Sequence, residues 1–153
     1  MKVLHAVEEV NEAQKQVLYR KLEKYYNGDL AGKTVALWGL SFKPETDDMR
    51  EATSLVTIRL LQDSGCRVKV YDPVSMKECR RRIGNSVEYA ADMYAAVLEA
   101  DALLLHTEWK QFRMPSWGVI KKAMKTPLVI DGRNIYDAEE LKKLGFVYLS
   151  IGR

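Results

Sequence analysis

The sequence predicts an α/β fold, in which a Rossmann-like, doubly wound parallel sheet follows a long amphipathic helix. From Lys33 onward, short apolar runs alternate with stretches of helical period. Strands joined by helices in strict alternation form a parallel sheet that is covered by helices on both faces. Before Lys33, apolar residues recur at steps of three and four with no proline between them, which is the pattern of an amphipathic helix.

The amino-terminal segment, residues 1–27, is predicted to form one helix that stops at Asn27-Gly28. Its stripe comprises Leu4, Val7, Gln14, Leu18, Leu22 and Tyr25. Asn11 and Gln14 are polar although they lie on or beside that stripe, so they either hydrogen-bond across a helix interface or face a ligand. A helix of this length also predicts packing against something outside the sequence, and the stripe over residues 4–25 could drive association.

The remaining elements follow from apolar runs and from start and stop signals. Asp92 is predicted to cap a helix, and Asp72-Pro73 to close a strand. The predicted strands are residues 34–40, 67–71, 87–89, 102–106, 128–130 and 146–149, and the predicted helices are 52–63, 75–83, 92–100, 117–124 and 138–144.

Composition restricts the class of protein. The 153 residues suffice for one domain, and 47% hydrophobic with 29% charged residues is the balance of a soluble globular protein. A net charge of +3, dispersed among carboxylates, predicts no nucleic-acid partner. Cys66 and Cys79 lie in no metal-ligand or redox spacing, which is typical of a reduced, cytoplasmic protein. No signal peptide or membrane-spanning run is present, so no membrane partner is expected.

The ligand is predicted to bind at the carboxyl ends of the strands, where parallel α/β sheets hold ligands. Four loops meet there, residues 39–51, 72–75, 107–116 and 131–137, and all are rich in charged and aromatic side chains. The first loop holds only Gly39 of the glycines that a dinucleotide pyrophosphate requires, so it is not expected to bind NAD in the usual way.

Side chains must therefore do the binding. Phe42 offers a flat face for a base or sugar, and Lys43 a compact charge for a phosphate. Arg133 follows the strand at 128–130, and its guanidinium suits a phosphate, although it could instead pair with Asp131 or Asp137. Asp72 occupies the place of a ribose-binding acid, but Asp-Pro is also a common turn.

Arg50 stands in the first turn of a predicted helix, where the helix dipole does not favour a cation. It is expected either to form a salt bridge with Asp47 or to bind an anionic ligand. His5 and His106 are isolated from any nucleophile and are interpreted as structural. The residues alone thus predict a binding domain for an anionic, nucleotide-like ligand and show no catalytic constellation.

Several stretches resemble the carboxyl-terminal part of the UDP-glucose/GDP-mannose dehydrogenase family. They are Gly39-Leu40-Ser41-Phe42-Lys43, Asp47-Asp48-Met49-Arg50-Glu51-Ala52-Thr53-Ser54, Val70-Tyr71-Asp72-Pro73, Thr107-Glu108-Trp109 with Phe112, Ile130-Asp131-Gly132-Arg133-Asn134 and Ser150-Ile151-Gly152-Arg153. The resemblance implies a UDP-sugar-binding domain over residues 30–153, and the end of the family's central connecting and dimerisation helix over residues 1–28.

The family oxidises the C6 alcohol of a nucleotide sugar in two NAD-dependent steps through a cysteine thioester. The resemblance implies that Phe42, Lys43 and Arg133 contact the UDP-sugar and that Arg50 reaches across the domain cleft to NAD. The NAD fingerprint and the catalytic cysteine belong to the family's amino-terminal and central domains, and neither motif is present in this sequence. The chain is therefore expected to be a fragment that is inactive alone, that needs those domains as partners and that forms a homodimer through the helix.

Two alternatives remain open. The chain could belong to a sibling enzyme that uses UDP-N-acetylmannosamine or GDP-mannose, because sugar choice depends partly on residues outside it. It could also be a stand-alone nucleotide-binding or scaffolding module. A glycine-rich βαβ unit and a cysteine region encoded upstream of Met1 would eliminate the second alternative.

Overall fold

The structure is a computed structural model that describes residues 13–50 and 52–151. Its strands are β1 (Thr34–Trp38), β2 (Arg67–Tyr71), β3 (Glu88–Tyr89), β4 (Ala102–Leu105), β5 (Leu128–Asp131) and β6 (Val147–Ser150). The helices of the described residues are α1 (Val17–Tyr25), α2 (Thr53–Asp63), α3 (Met76–Ile83), α4 (Met93–Val97), α5 (Lys110–Arg113), α6 (Trp117–Ala123) and α7 (Ala138–Lys143).

The six strands form one sheet in the order β3-β2-β1-β4-β5-β6. Every neighbouring pair is parallel, and Trp38 at the end of β1 lies opposite Tyr71 of β2 and Leu105 of β4. The chain therefore reverses its winding between β1 and β4, which is the point where such sheets leave a crevice at the carboxyl edge. This architecture confirms the predicted doubly wound parallel sheet.

Each face of the sheet carries its own apolar core, which explains why the strands are almost continuously hydrophobic. Val35 and Leu37 point to the face covered by α1, α2 and α3. Ala36 and Trp38 point to the opposite face, covered by α4 to α7. On that second face the Trp38 ring stacks on Phe112 with centroids 4.9 Å apart.

Helix α1 packs on its own sheet. Leu18, Tyr19 and Leu22 are buried in the same core as Leu128 and Ile130 of β5, so the apolar stripe of this helix covers the β5 half of the first face. Tyr25, the last residue of the predicted stripe, is 39% exposed, whereas Tyr19, which the stripe did not include, is buried.

The predicted stop of this helix is confirmed, because Asn27 (φ 52°) and Gly28 (φ 79°) turn the chain into the left-handed region. A helical turn at residues 13–15 precedes α1, from which Gln16 separates it. Leu4, His5, Val7 and Asn11 lie outside the described residues, so one long helix over residues 1–27 stays a prediction.

Most other boundaries agree with the sequence prediction to within one or two residues. Asp92 caps α4 as predicted, accepting hydrogen bonds from the amides of Tyr94 and Ala95. That helix is shorter than expected because Leu98 is extended and Glu99 has a φ of 60°. In the described part of the chain, no helix has the length and apolar character that crossing a membrane would require.

Candidate functional site

A cleft of about 410 Å³ opens at the carboxyl edge of the sheet. Its walls come from six segments: Gln14, Lys15, Val17 and Leu18 before and within α1, Ser41 and Phe42 after β1, Thr53 and Ser54 at the start of α2, His106 after β4, Gly132 and Arg133 after β5, and Ile151 after β6. The segments that follow β1 and β4, the strands that flank the reversal of the sheet, therefore both line the cleft. This volume lies within the range of small-molecule sites, about 300–1,000 Å³.

Arg133 forms one wall and is held by two main-chain carbonyls. Its Nε donates to the His106 carbonyl at 2.9 Å, and its Nη2 donates to the Phe42 carbonyl at 2.8 Å. The alternative that its guanidinium pairs with Asp131 or Asp137 is wrong. The contact between Arg133 and Asp131 is made by the Arg133 backbone amide, which donates to the carboxylate at 2.8 Å. Within residues 13–50 and 52–151, no carboxylate forms a salt bridge with the Arg133 guanidinium.

Phe42, which is 55% exposed, lines the same cleft as Arg133. The structure therefore brings these two predicted ligand contacts together. The Phe42 amide donates to the Asp48 carbonyl at 3.0 Å and closes the loop on itself. Lys43 follows on the same loop, but its exposed side chain does not line the cleft. The loop thus presents an aromatic residue to the cleft, and the structure does not bring the Lys43 side chain to Phe42 and Arg133 there.

Gly39 and Gly132 permit close packing where a dinucleotide site would use glycines for a pyrophosphate. Gly39 has a φ of 91°, and a Cβ on it would stand 2.6 Å from the Thr107 amide nitrogen. A Cβ on Gly132 would stand 2.6 Å from the Leu105 carbonyl oxygen. Both glycines therefore let the β1 and β5 loops approach the end of β4.

Asp72 is an internal anchor. It is fully buried and accepts hydrogen bonds from the amides of Leu40 (2.8 Å), Val74 (2.8 Å) and Ser75 (2.7 Å), and from the Trp109 indole (3.2 Å). Four donors occupy the acceptor sites that a carboxylate has. The ribose-binding alternative for Asp72 is therefore incompatible with this arrangement, and the turn alternative describes it correctly.

Asp131 anchors the loop that carries Arg133. This fully buried carboxylate accepts from the amides of Arg133, Ile135 and Tyr136, and from the Tyr148 hydroxyl at 2.8 Å. Buried charges are tolerated when hydrogen bonds replace the lost water. The backbone that presents Arg133 is therefore fixed by an acid at the end of β5.

His106 is a buried wall of the cleft, only 6% exposed. Its Nε2 lies 2.9 Å from the Thr57 hydroxyl. Burial, with a smaller contribution from Arg133, lowers the pKa of His106 to about 3, so the ring is neutral at physiological pH. Its Nδ1 meets no partner in hydrogen-bond geometry among the described residues, although the nearby Leu104 carbonyl raises the pKa by a lesser amount.

Arg50 lies apart from the cleft in a second depression of about 350 Å³, which it shares with Asp48, Glu78 and Arg82. Its guanidinium grips Asp48 with two hydrogen bonds, of 3.1 and 3.0 Å, and these bonds lower the pKa of the Asp48 carboxyl to about 2. The prediction that Arg50 pairs with Asp47 is therefore wrong, because its salt-bridge partner is Asp48. The Arg50 side chain is 79% exposed, and it does not line the cleft that contains Phe42 and Arg133.

Sequence reasoning missed part of the cleft. Gln14 lines it, in agreement with one of the two alternatives for that residue, and Lys15 stands beside it. Thr53 and Ser54 also line the wall, yet nothing separates them in sequence from ordinary first-turn residues. Thr107 donates to the Ser41 carbonyl at 2.7 Å. This contact could not be predicted from the sequence either, because only the fold brings the two residues together.

Taken together, the fold and the site define a Rossmann-type domain whose cleft at the carboxyl edge of the sheet is lined largely by side chains and includes an arginine. The sequence profile of the UDP-glucose/GDP-mannose dehydrogenase family, UDP binding domain, matches residues 36–138. The chain belongs to this family, and it corresponds to the family's UDP binding domain.

Relatives agree with this assignment. The chain is 47% identical to the UDP-glucose 6-dehydrogenase of Pseudomonas aeruginosa, a match that covers 99% of this chain and 34% of that protein. It is 40% identical to the UDP-glucose 6-dehydrogenase TuaD of Bacillus subtilis, over 99% of this chain and 33% of that protein. The chain thus spans about a third of the length of the curated relatives it matches.

Solved structures show the same fold. The UDP-glucose dehydrogenase of Pyrobaculum islandicum superposes with a TM-score of 0.79 at 33% identity, covering 95% of this chain and 31% of that one. The NDP-N-acetyl-D-galactosaminuronic acid dehydrogenase of Methanosarcina mazei superposes with a TM-score of 0.76 at 28% identity, covering 92% and 29%.

Proposed function

We propose that the cleft binds the UDP portion of UDP-glucose. We further propose that the chain is the nucleotide-sugar domain of an NAD-dependent UDP-glucose 6-dehydrogenase, which oxidises UDP-glucose to UDP-glucuronate. The family assignment and the names of the relatives support the identity of the nucleotide. The geometry of Arg133 supports the position of the site.

The proposal depends on one observation: the Arg133 guanidinium, at the wall of the cleft, has no carboxylate partner among residues 13–50 and 52–151. Arg133 uses two of its five N–H groups on the carbonyls of His106 and Phe42. These carbonyls orient the guanidinium but leave its positive charge unpaired by any carboxylate of the described residues. A diphosphate supplies the anion that such a charge favours, and charge-assisted hydrogen bonds are the stronger kind.

Phe42 and Lys43 complete the proposed contact. The exposed Phe42 ring offers an apolar face to the uracil or the ribose, for which a flat aromatic surface is well suited. Lys43, the next residue on the loop, carries its ammonium on a flexible stem that can turn towards a phosphate. In this proposal Phe42 and Arg133 are already in place, and Lys43 moves when the nucleotide enters.

NAD is proposed to be held mainly by other parts of the enzyme. The chain's own residues do not fit a dinucleotide site, since Leu40 fills the β1 loop and Asp72 has no acceptor site free for a ribose. Arg50 is the proposed exception, a single contact across the domain cleft. Its partner Asp48 lies on the surface, where ion pairs are weak, so a phosphate could replace that carboxylate. Without a cysteine region, the chain alone is proposed to be inactive.

A sibling enzyme with a different nucleotide sugar is the second candidate. The Methanosarcina mazei neighbour shares the fold but is named for a different sugar, so the fold alone does not distinguish a UDP-glucose enzyme from such a sibling. UDP-glucose is favoured because the two reported relatives named for it share 47% and 40% identity with the chain, against 28% for that neighbour. Comparing the affinities of UDP and GDP for this chain tests the base class.

Calorimetric titration with UDP tests the proposal. Arg133→Ala is expected to weaken binding by about 1.5–3 kcal/mol, or roughly 10- to 150-fold, because it removes a charge-assisted contact. The matched control is Arg67→Ala, which removes an equal charge at the start of β2, on the opposite edge of the sheet. Equal affinities in both variants, or no UDP binding by the parent chain, would contradict the site.

A further inference from the structure

Two consecutive carbonyls of the β1 loop are each held by a side chain from a different loop. The Thr107 hydroxyl donates to the Ser41 carbonyl at 2.7 Å. Arg133 Nη2 donates to the next carbonyl, that of Phe42, at 2.8 Å. The segment that carries the exposed aromatic ring is thus fixed from both sides, by the loops that follow β4 and β5.

A third hydrogen bond links these two contacts into a closed ring. Arg133 Nε donates to the carbonyl of His106, at 2.9 Å, and His106 is peptide-bonded to Thr107. The ring of hydrogen bonds therefore runs from Ser41 through Thr107 and His106 to Arg133, and back to Phe42. We refer to these five residues as the loop clamp.

Thr107 is the member of the loop clamp that cannot touch a ligand. It is fully buried, and its hydroxyl is already used on Ser41. Its close approach to the β1 loop depends on Gly39, where a Cβ would stand 2.5 Å from the Thr107 Cβ. A hydroxyl so placed acts on the loop alone, and through the loop on Phe42.

We infer that Thr107 is a positioning residue, which sets the Phe42 ring and the Arg133 guanidinium at the spacing that one nucleotide requires. This inference rests on the proposed function of the cleft. Binding energy depends on contacts being in place beforehand, because ordering a loop during association subtracts from affinity. Breaking the loop clamp at Thr107 therefore weakens binding without removing any group that meets the ligand.

A pair of variants isolates the hydroxyl. Thr107→Val keeps the shape of the side chain and removes the donor, and it is expected to raise the Kd for UDP about three- to tenfold. Thr107→Ser keeps the donor and is expected to bind within about twofold of the parent. Thr126→Val is the control, since its hydroxyl contacts Tyr26 at the amino edge of the sheet, and its affinity for UDP should not change.

A double variant separates positioning from general destabilisation. Arg133→Lys retains the charge but loses the planar guanidinium, whose Nε and Nη2 reach the two carbonyls separately, so it is expected to open the loop clamp as well. If both residues act through the loop, adding Thr107→Val to Arg133→Lys costs little further affinity. Effects that multiply, or a Thr107→Val variant that binds UDP like the parent, would overturn the inference.

Hydrogen exchange gives a readout that does not depend on UDP. The Phe42 amide donates within its loop, to the Asp48 carbonyl, so its exchange rate reports whether the loop is held. Thr107→Val is expected to speed this exchange while the β4 amides remain protected. If the parent chain fails to bind UDP, the proposed function fails, and unchanged exchange at Phe42 would then reject the loop clamp as well.

Discussion

At the scale of single residues, the site depends on positions where a small side chain permits two loops to meet. Gly39 combines a positive φ with crowding, since an added Cβ would stand 2.5 Å from the Thr107 Cβ, whereas at Gly28, with a similar φ of 79°, an added Cβ would meet nothing within 4 Å. The two glycines therefore share a backbone conformation and differ in crowding. This difference allows the backbone effect of an alanine substitution to be separated from its steric effect.

Gly28→Ala is expected to cost about 1–2 kcal/mol of unfolding free energy, the cost of a left-handed alanine. Gly39→Ala is expected to cost a further 1–3 kcal/mol or so, because its methyl group would collide with the backbone of Thr107. Urea unfolding of both variants measures the difference. Equal losses would show that the close approach to Thr107 is not needed.

His106 predicts a pH dependence. Its pKa is about 3 in the folded chain, against 6.5 for an unperturbed histidine, so the unfolded chain binds a proton first as the pH falls. The stability that the neutral ring contributes is complete above pH 6.5 and is lost as the pH falls towards 3. Between pH 7.5 and 5, the parent should lose about 2 kcal/mol more than His106→Gln. Parallel pH profiles of the two proteins would refute the buried, neutral state.

At the scale of elements, two buried acids arrange the loops at the carboxyl edge. Asp72 ties together the segments that follow β1, β2 and β4, through Leu40, Ser75 and Trp109. Asp131 folds the segment after β5. The strand ends thus carry acids that organise the ligand loops, while the basic and aromatic residues of those loops face the cleft.

Asp72→Asn should therefore lower the free energy of unfolding by about 2–4 kcal/mol. The asparagine NH2 group would replace one carboxylate oxygen, and the N–H groups that donate to that oxygen would then face another donor. Asp92→Asn is the matched control. Asp92 caps α4 through its carboxylate oxygen, and asparagine caps helices equally well, so about 0 kcal/mol is expected. Comparable losses in the two variants, measured by urea unfolding, would remove the anchoring role of Asp72.

The elements themselves were largely predictable, because a parallel sheet leaves apolar runs and helical periods in the sequence. The limits of β2 were predicted without error, whereas α5 was missed, since a single turn over Lys110–Arg113 has no measurable period. The candidate site was harder. Phe42 and Arg133 were predictable as residues at strand ends, but their hydrogen bond joins positions 91 residues apart. The same distance effect hid Thr107, whose hydroxyl bonds a carbonyl 66 residues away, whereas Arg50 was assigned to Asp47 although it pairs with the adjacent Asp48.

At the scale of the whole molecule, helix α1 packs against the chain's own sheet, so most of its apolar side chains are not available to a partner. Leu18 and Leu22, which belong to the stripe that predicted association, are buried against the chain's own sheet. The homodimer that the family resemblance predicts would therefore depend largely on the apolar positions before residue 13, which the structure does not describe. Light scattering at high concentration should show a dimer, and a strict monomer would contradict this proposal.

The central claim is that one nucleotide meets Phe42 and Arg133 in a single cleft. The most direct measurement is an NMR titration of the isotope-labelled chain with UDP. We expect the shift changes to cluster at the amides that surround the cleft, those of Phe42, Thr53, Gly132 and Arg133, with the amino edge of the sheet unaffected. Changes centred on the amino edge, or none at millimolar UDP, would contradict the account.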